Sequence, residues 1–320
     1  MRSDRHIRYA NAAGLIAGAL LDAVLGDPRR FHPVAGFGRA AGALERVLYA
    51  PSRMAGAGYT AVAVGVPVVA AVAASAATRR RPLARFALSA ALTWAVLGGT
   101  SLRREAVAMA RSIDDGDLAA ARRRLPSLCG RDPSQLGAAE LARATVESVA
   151  ENTSDAVVAP LWWGAVAGLP GLAAYRAVNT LDAMVGHRSA RYERFGVAAA
   201  RLDDVANLVP SRLTAVLTAG LAPLVGGSIE RALRTWARDG ARHPSPNAGQ
   251  CEAAMAGALG VRLGGRNVYA GRAEERPTLG AGRRPAVLDI RRSARLSAAV
   301  GAATAVLAAG FALRAGRAAR

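Results

Sequence analysis

Lysine is absent from this chain. All 42 basic residues are arginine, set against 23 Asp and Glu, which gives a formal net charge of +19. The absence excludes a Walker A phosphate loop, which needs its Gly-Lys-Ser/Thr, and any enzyme that works through a lysine Schiff base. Phosphate must then be held by arginine, by backbone N–H groups at helix starts, or through a metal ion. Cysteine is nearly absent too. Cys129 and Cys251 make neither a metal spacing nor a disulfide framework, and both read as structural, reduced thiols. Aromatic residues are scarce, at 5%, although 52% of the chain is hydrophobic. The apolar content is alanine, valine, leucine and glycine in blocks, a composition that suits closely packed membrane helices. The arginines lie in the loops between those blocks, where the positive-inside rule accounts for many of them, so no nucleic-acid partner is expected.

The clearest apolar block, Ala55 to Ala77, carries no charge in 23 residues, enough for a helix to cross a bilayer. The basic N-terminus followed by the charge-free run Tyr9 to Leu21 resembles a signal peptide. No small-x-small cleavage site follows, and Gly26-Asp27-Pro28 ends the run with a turn, so it reads as a retained first helix. The pattern predicts an all-α, polytopic integral membrane protein of one domain, multi-pass in the cell membrane, with the lipid bilayer as a partner. Spans are expected at about 9–25, 55–77, 86–102, 156–175, 205–229 and 294–313, separated by polar segments 26–54, 103–155, 177–204 and 230–293.

The stretch from Glu147 to His187 carries the strongest site signal. Glu147, Glu151 and Asp155 recur every four residues, which on a helix places them on one stripe that wants a cation or an arginine facing it. Beyond the apolar run lie Asn179 and Asp182, on one face, and Asp203, Asp204 and Asn207 recur just before the next apolar run. Carboxylates abutting membrane-length segments are costly and mark sites by default. Gly168-Leu169-Pro170-Gly171 breaks the run at 156–175, so it is expected to form two half-helices as a re-entrant hairpin rather than one straight span. A straight helix would hold the two polar groups about 30 Å apart. In the polar segment near 243, Pro244 and Pro246 hold the chain extended around His243 and Ser245. Asn247 is the expected N-cap, with Gln250 as its capping-box partner, of a helix over 248–259 that stops at Gly260. The start of that helix is a candidate anion site.

Taken together, these segments resemble the CobD/CbiB family of cobalamin biosynthesis, the adenosylcobinamide-phosphate synthases. The resemblance runs nearly end to end, through LLDAVLGDPRRFHPV, LPSLCGRDPSQLGAAELARATVESVAENTSDA, AAYRAVNTLDAMVGHRSARYERFGVAAARLDDVANLVPSRLTAVL, HPSPNAGQCEAAMAGALGVRLGGRNVYAG and RPTLG. Ala156 stands where glycine is expected, and Gln250-Cys251 where an aromatic-proline pair is more usual; neither change removes a charge. The resemblance implies an amide-forming ligase that joins aminopropanol, or its phosphate, to a propionate of adenosylcobyric acid, a corrinoid. ATP and Mg²⁺ are the implied co-substrate and activator, no tightly held cofactor is expected, and other late cobalamin-pathway enzymes are possible partners. A carboxylate is a poor acyl donor until it is phosphorylated, so such chemistry needs metal ligands, phosphate donors and a base for the ammonium proton. By residue type Glu147, Glu151, Asp155 and Asp182 could hold Mg²⁺, with Glu151 and Asp182 central to catalysis and Asn152 and Asn179 as neutral ligands. Asp203 and Asp204 are further metal or base candidates. Arg188, Arg212 and the Asn247 helix start could bind phosphate, Asp27, Asn207 and Ser245 substrate, and His32 or His243 could take the proton. The competing class is a non-catalytic membrane protein such as a corrinoid or solute permease, because broken helices with internal arginine and aspartate also suit transporters.

Overall fold

The computed structural model describes residues 2–27, 32–187, 189–269 and 272–314. Helix accounts for 77% of the protein, and the chain folds as two compact units. One is built from the chain up to Gly98, Ala159–Asn207 and the end from Thr304; the other from Gly99–Val158 and Leu208–Ala303.

The first unit contains α1 (Arg2–Leu25), α2 (Pro33–Leu48), α3 (Arg53–Ala77), α4 (Pro82–Val96), α8 (Ala159–Leu181) and α9 (Val197–Ala206). α3 starts where the Ser52 hydroxyl accepts from the Ala55 N–H at 3.1 Å, and it is inside-out in character. Tyr59, Ala63 and Ala71 point inward, whereas Val62, Val66, Val69 and Val72 are exposed, the face a helix turns to lipid. α1 and α4 touch through Gly14-x-x-x-Gly18, because a Cβ on either glycine would overlap Ser89 or Thr93. That spacing makes the two helices parallel, and Ser89 Oγ donates across to Asn11 Oδ1 at 3.2 Å.

α8 is bent back on itself. Gly168 sits at φ 63°, ψ −141°, a conformation that an L side chain strains to reach. A Cβ added to Gly171 would overlap the carbonyl oxygen of Trp163, and one on Gly164 would lie 2.9 Å from Leu172. In a straight helix residues eight apart are separated by about 12 Å. The apolar run is therefore a helical hairpin with Gly168 at its turn, as the sequence predicts, and Pro170 sits in the first turn after it, where its missing N–H costs nothing.

Among the described residues five helical stretches are long and apolar enough to cross a membrane: Arg5–Leu25, Arg53–Ala77, Pro82–Asp114, Ala138–Gly186 and Val287–Arg314. The protein is an all-α polytopic membrane protein. The run expected to span at 205–229 is not among them. It forms α10 (Leu208–Gly220), a 13-residue helix of about 20 Å, followed by a short 3₁₀ turn over Ala222–Val225.

The second unit contains α5 (Gly99–Asp114), α6 (Leu118–Arg124), α7 (Ala138–Thr153), α10, α11 (Ile229–Asp239), α12 (Ala248–Leu259) and the first part of α13 (Val287–Arg314). All twelve residues of α12 are buried, and small side chains let its neighbours close around it. Met109, Leu141, Val149, Met255, Leu279 and Leu296 fill the core. An antiparallel hairpin, β1 (Leu263–Tyr269) with β2 (Arg272–Leu279), adds a small sheet that the helical pattern does not anticipate. Gly264 and Gly265, at φ 81° and 86°, make the irregularity at its start.

Candidate functional site

In the second unit the acidic stripe of α7 finds its arginines. Glu147 is buried and its carboxylate meets Arg131 Nη2 at 2.5 Å, Arg143 Nη1 at 3.3 Å and the Gly264 N–H at 2.7 Å. Arg143 also donates to the carbonyls of Gly264 and Arg266, so this carboxylate pins the hairpin to α7. Glu147, expected as a metal ligand, thus has both oxygens committed to protein donors. Glu151 and Asp155 are half-buried, and Asp155 lies in a π-turn over Ser154–Val158 that widens the helix where the sequence predicts regular spacing. Such bulges are frequent at functional sites. Asn152 uses its amide nitrogen on Ser148, at 2.9 Å to the carbonyl and 3.1 Å to the hydroxyl.

The segment before α12 is extended as expected, but its cap differs. Ser245 Oγ accepts from Ala248 N at 3.1 Å and from Asn247 N at 3.3 Å. Asn247, the expected cap, is drawn away: its Oδ1 accepts from Ser211 Oγ at 3.1 Å and Arg212 Nη1 at 3.0 Å. Gln250 does not close a capping box, since it accepts from Trp236 Nε1 at 2.8 Å and donates to Gly240 O at 3.0 Å. The helix-start anion site is therefore already partly filled by Ser245, and Arg212 is the cation beside it.

One turn into α12 lies Glu252, 3% exposed and 3.9 Å from His243 Nε2. Burial, followed by the nearby Glu147 and Glu151 charges, pushes the Glu252 carboxyl well up. His243 is pushed the other way, first by burial and then by Arg276, whose Nη1 is 3.3 Å from Nε2. His243 Nδ1 accepts from the Ser245 N–H at 3.0 Å. The surroundings thus favour the neutral form of both groups, the imidazole by lowering its pKa and the acid by raising it.

The first unit gathers the second set of predicted residues. Asp203 accepts from Asn207 Nδ2 at 3.0 Å and Asn179 Nδ2 at 3.4 Å; Asn207 accepts from Tyr175 OH at 3.0 Å. Burial, then the Asp182 charge, pushes the Asp203 carboxyl up to about 7. Asp204 is pushed up by burial and pulled back by Arg201, 3.9 Å away. His32 acts as the N-cap of α2, its Nδ1 accepting from Val34 N at 3.2 Å. Asp27 follows the left-handed Gly26 at the end of α1. Arg188 lies outside the described residues.

Among the described residues no group of three His, Cys, Asp or Glu is placed to hold a metal ion. Mg²⁺ does not need one, because it commonly takes one or two carboxylates and completes its shell with water and substrate phosphate. Asp182 and Asp203 match that demand in type, and the Asp182 charge adds to burial in raising the Asp203 carboxyl. Cys251 is buried, its thiol pushed well up by burial, and its Sγ meets the Ser211 carbonyl at 3.7 Å, the behaviour of an inert packing group.

The sequence profile described as "CobD/Cbib protein" matches residues 15–297. The chain belongs to the CobD/CbiB family. It is 56% identical over 299 residues to the cobalamin biosynthesis protein CobD of Mycobacterium tuberculosis, covering 93% of this chain and 94% of that one. The proteins of the same name from Geobacter metallireducens and Chromobacterium violaceum are 46% and 44% identical, over 84% and 87% of this chain and 86% and 89% of theirs. No solved structure matches. Within the segments that carry the family resemblance, sequence reasoning missed Glu252, Arg131, Tyr175 and Arg276. For Glu252 a signal was present: a lone acid in an otherwise apolar, alanine-rich helix is either paired or functional.

Proposed function

We propose that this CobD/CbiB protein acts in cobalamin biosynthesis as an amide-forming ligase, joining aminopropanol or its phosphate to a propionate carboxylate of adenosylcobyric acid. The observation that carries the reading is the buried pair of His243 and Glu252 beside Arg276, with the imidazole pushed toward its neutral form and the acid toward its protonated form. An amine attacks an acyl carbon only as the free base, and the proton it sheds needs an acceptor that is unprotonated near neutral pH. His243 is that acceptor at Nδ1: the neutral tautomer carries its hydrogen on Nε2, and the Nδ1 lone pair, which accepts from the Ser245 N–H, takes the proton when that contact yields. In balance, the propionate takes the terminal phosphoryl group of ATP and ADP leaves. The amine nitrogen then bonds to the carbonyl carbon, phosphate leaves, and the ammonium proton passes to His243. Arg276 and Arg212 supply guanidinium donors for the anions in that sequence.

Mg²⁺ would neutralise phosphate charge, and two carboxylate pairs are available for it, Glu151 with Asp155 and Asp182 with Asp203. Detergent-purified protein given adenosylcobyric acid, aminopropanol phosphate and Mg-ATP should yield the amide, read by mass spectrometry. His243→Gln, Glu151→Gln and Asp182→Asn are each expected to abolish the product while membrane insertion persists. Wild-type turnover by His243→Gln removes the base assignment. Substrate flux into vesicles without any amide product would favour a permease instead.

A further inference from the structure

Arg85 stands in the first turn of α4, inside a membrane-length stretch, and is only 6% exposed. A guanidinium so placed ordinarily faces a carboxylate, since a buried unpaired charge is among the costliest groups a membrane protein can hold. Among the described residues Arg85 makes no ion pair. It donates to the hydroxyl of Ser75 at 2.9 Å and to the Ser75 carbonyl, and its Nε is buried without an acceptor.

Beside it lies a cavity of about 330 Å³, lined by Arg8, Asn11, Ser75 and Arg85, by the turn of the α8 hairpin, and by Ala312. Arg8 and Arg85 share a level because α1 and α4 run parallel, with Gly14 against Ser89 and Gly18 against Thr93. Arg79, Arg80 and Arg81 form the adjoining α3–α4 turn, so the cavity sits at the arginine-rich end of these helices. It lies at the small end of the range for small-molecule pockets, about 300–1,000 Å³, and its polar side chains are donors or hydroxyls rather than acids.

We propose that this cavity binds a phosphate-bearing anion, held by Arg85 and Arg8 with the Ser75 hydroxyl and the Asn11 amide as neutral partners. The Ser75 oxygen accepts from Arg85, which leaves its own proton to donate to a phosphate oxygen. Two sources supply this chemistry: the headgroup of an anionic phospholipid, for which basic pockets between membrane helices are suited, and a soluble phosphate ester. The site does not depend on the ligase reading.

The test uses the full chain, delipidated in a zwitterionic detergent, with its melting temperature followed at constant ionic strength. Phosphatidylglycerol is expected to raise the melting temperature where phosphatidylcholine does not, and Arg85→Gln should weaken the apparent affinity at least tenfold. Ala312→Phe fills the cavity while keeping Arg85 and should abolish the shift as well; it decides the matter if Arg85→Gln does not fold. A shift with inorganic pyrophosphate, but none with phosphatidylglycerol, assigns the same site to a soluble phosphate. The proposal is overturned if neither anion shifts the wild type, or if both variants respond as the wild type does.

Discussion

Asp203→Asn should make the protein more stable at pH 8.5 and slightly less stable at pH 3.5. The carboxyl is pushed from 3.8 to about 7 by burial and by Asp182. Between those two values the folded protein keeps a proton that the unfolded chain releases, so stability falls as pH rises through the window from about 4 to about 7. A displacement of about 3 units at 1.36 kcal/mol each corresponds to up to about 4 kcal/mol once Asp203 is fully ionised. Asparagine removes that term. It also offers one acceptor oxygen to the two amides of Asn179 and Asn207, a loss of about 1 kcal/mol at every pH. The net expectation is a cost of about 1 kcal/mol at pH 3.5, below the window, and a gain of about 2–3 kcal/mol at pH 8.5. Thermal melts in detergent at the two pH values read this directly. Added Mg²⁺ should stabilise the wild type at pH 8.5, by about 2.7 kcal/mol at one hundred times its dissociation constant, and leave Asp203→Asn unmoved. A variant that is less stable than wild type at both pH values would refute the reasoning, because it would show that the charge on Asp203 is not opposed by its surroundings.

Three further expectations concern the fold. The protein should stay with membranes through a 1 M salt wash, where the Debye length of about 3 Å abolishes attachment through arginine alone, and sedimentation after washing checks this. Gly171→Ala should cost at least about 2 kcal/mol by driving a methyl into the Trp163 carbonyl, whereas Gly65→Ala, with open space around it, should be near neutral; paired thermal melts separate them. Arg131→Met should cost about 3 kcal/mol because Glu147 stays buried with one of its two guanidinium partners gone, and urea or thermal unfolding of the detergent-solubilised variant measures it.

Much of this structure is legible in the sequence because the deciding interactions are local. The helix over 248–259 ends at Gly260, at φ 71°, because that residue supplies a left-handed stop that needs no other part of the chain. The break at Gly168 is read the same way. What is not legible depends on residues far apart. Asn247 satisfies every local rule for an N-cap, yet Ser211 and Arg212 on α10 claim its oxygen from 35 or more positions away. The hairpin from Leu263 to Leu279 has a polar, arginine-rich sequence with no strong alternation, and it is held by Glu147 and Arg143 on α7. The run at 86–102 lies in a stretch long and apolar enough to cross a membrane, whereas in the run at 205–229 the 13-residue α10 packs against α12, a contact between segments far apart in the chain.

The same contrast separates carboxylates balanced by protein donors from those left short of positive charge. By residue type and chain position alone, Glu147, Glu151, Asp155, Asp182 and Asp203 are equivalent acids beside apolar runs. Their donors tell them apart. Glu147 is met by two guanidiniums and a backbone N–H, so its charge is balanced and its oxygens are used. Asp203 is met by two neutral amides, with another carboxylate close by, so its hydrogen bonds orient it without balancing its charge. An acid oriented and left short of positive charge is costly to ionise, and the protein recovers that cost only when a cation arrives. On this reasoning Asp182 and Asp203 are the proposed Mg²⁺ position ahead of Glu147, and exchanging Glu147 for glutamine should weaken the fold more than it weakens any Mg²⁺-induced stabilisation.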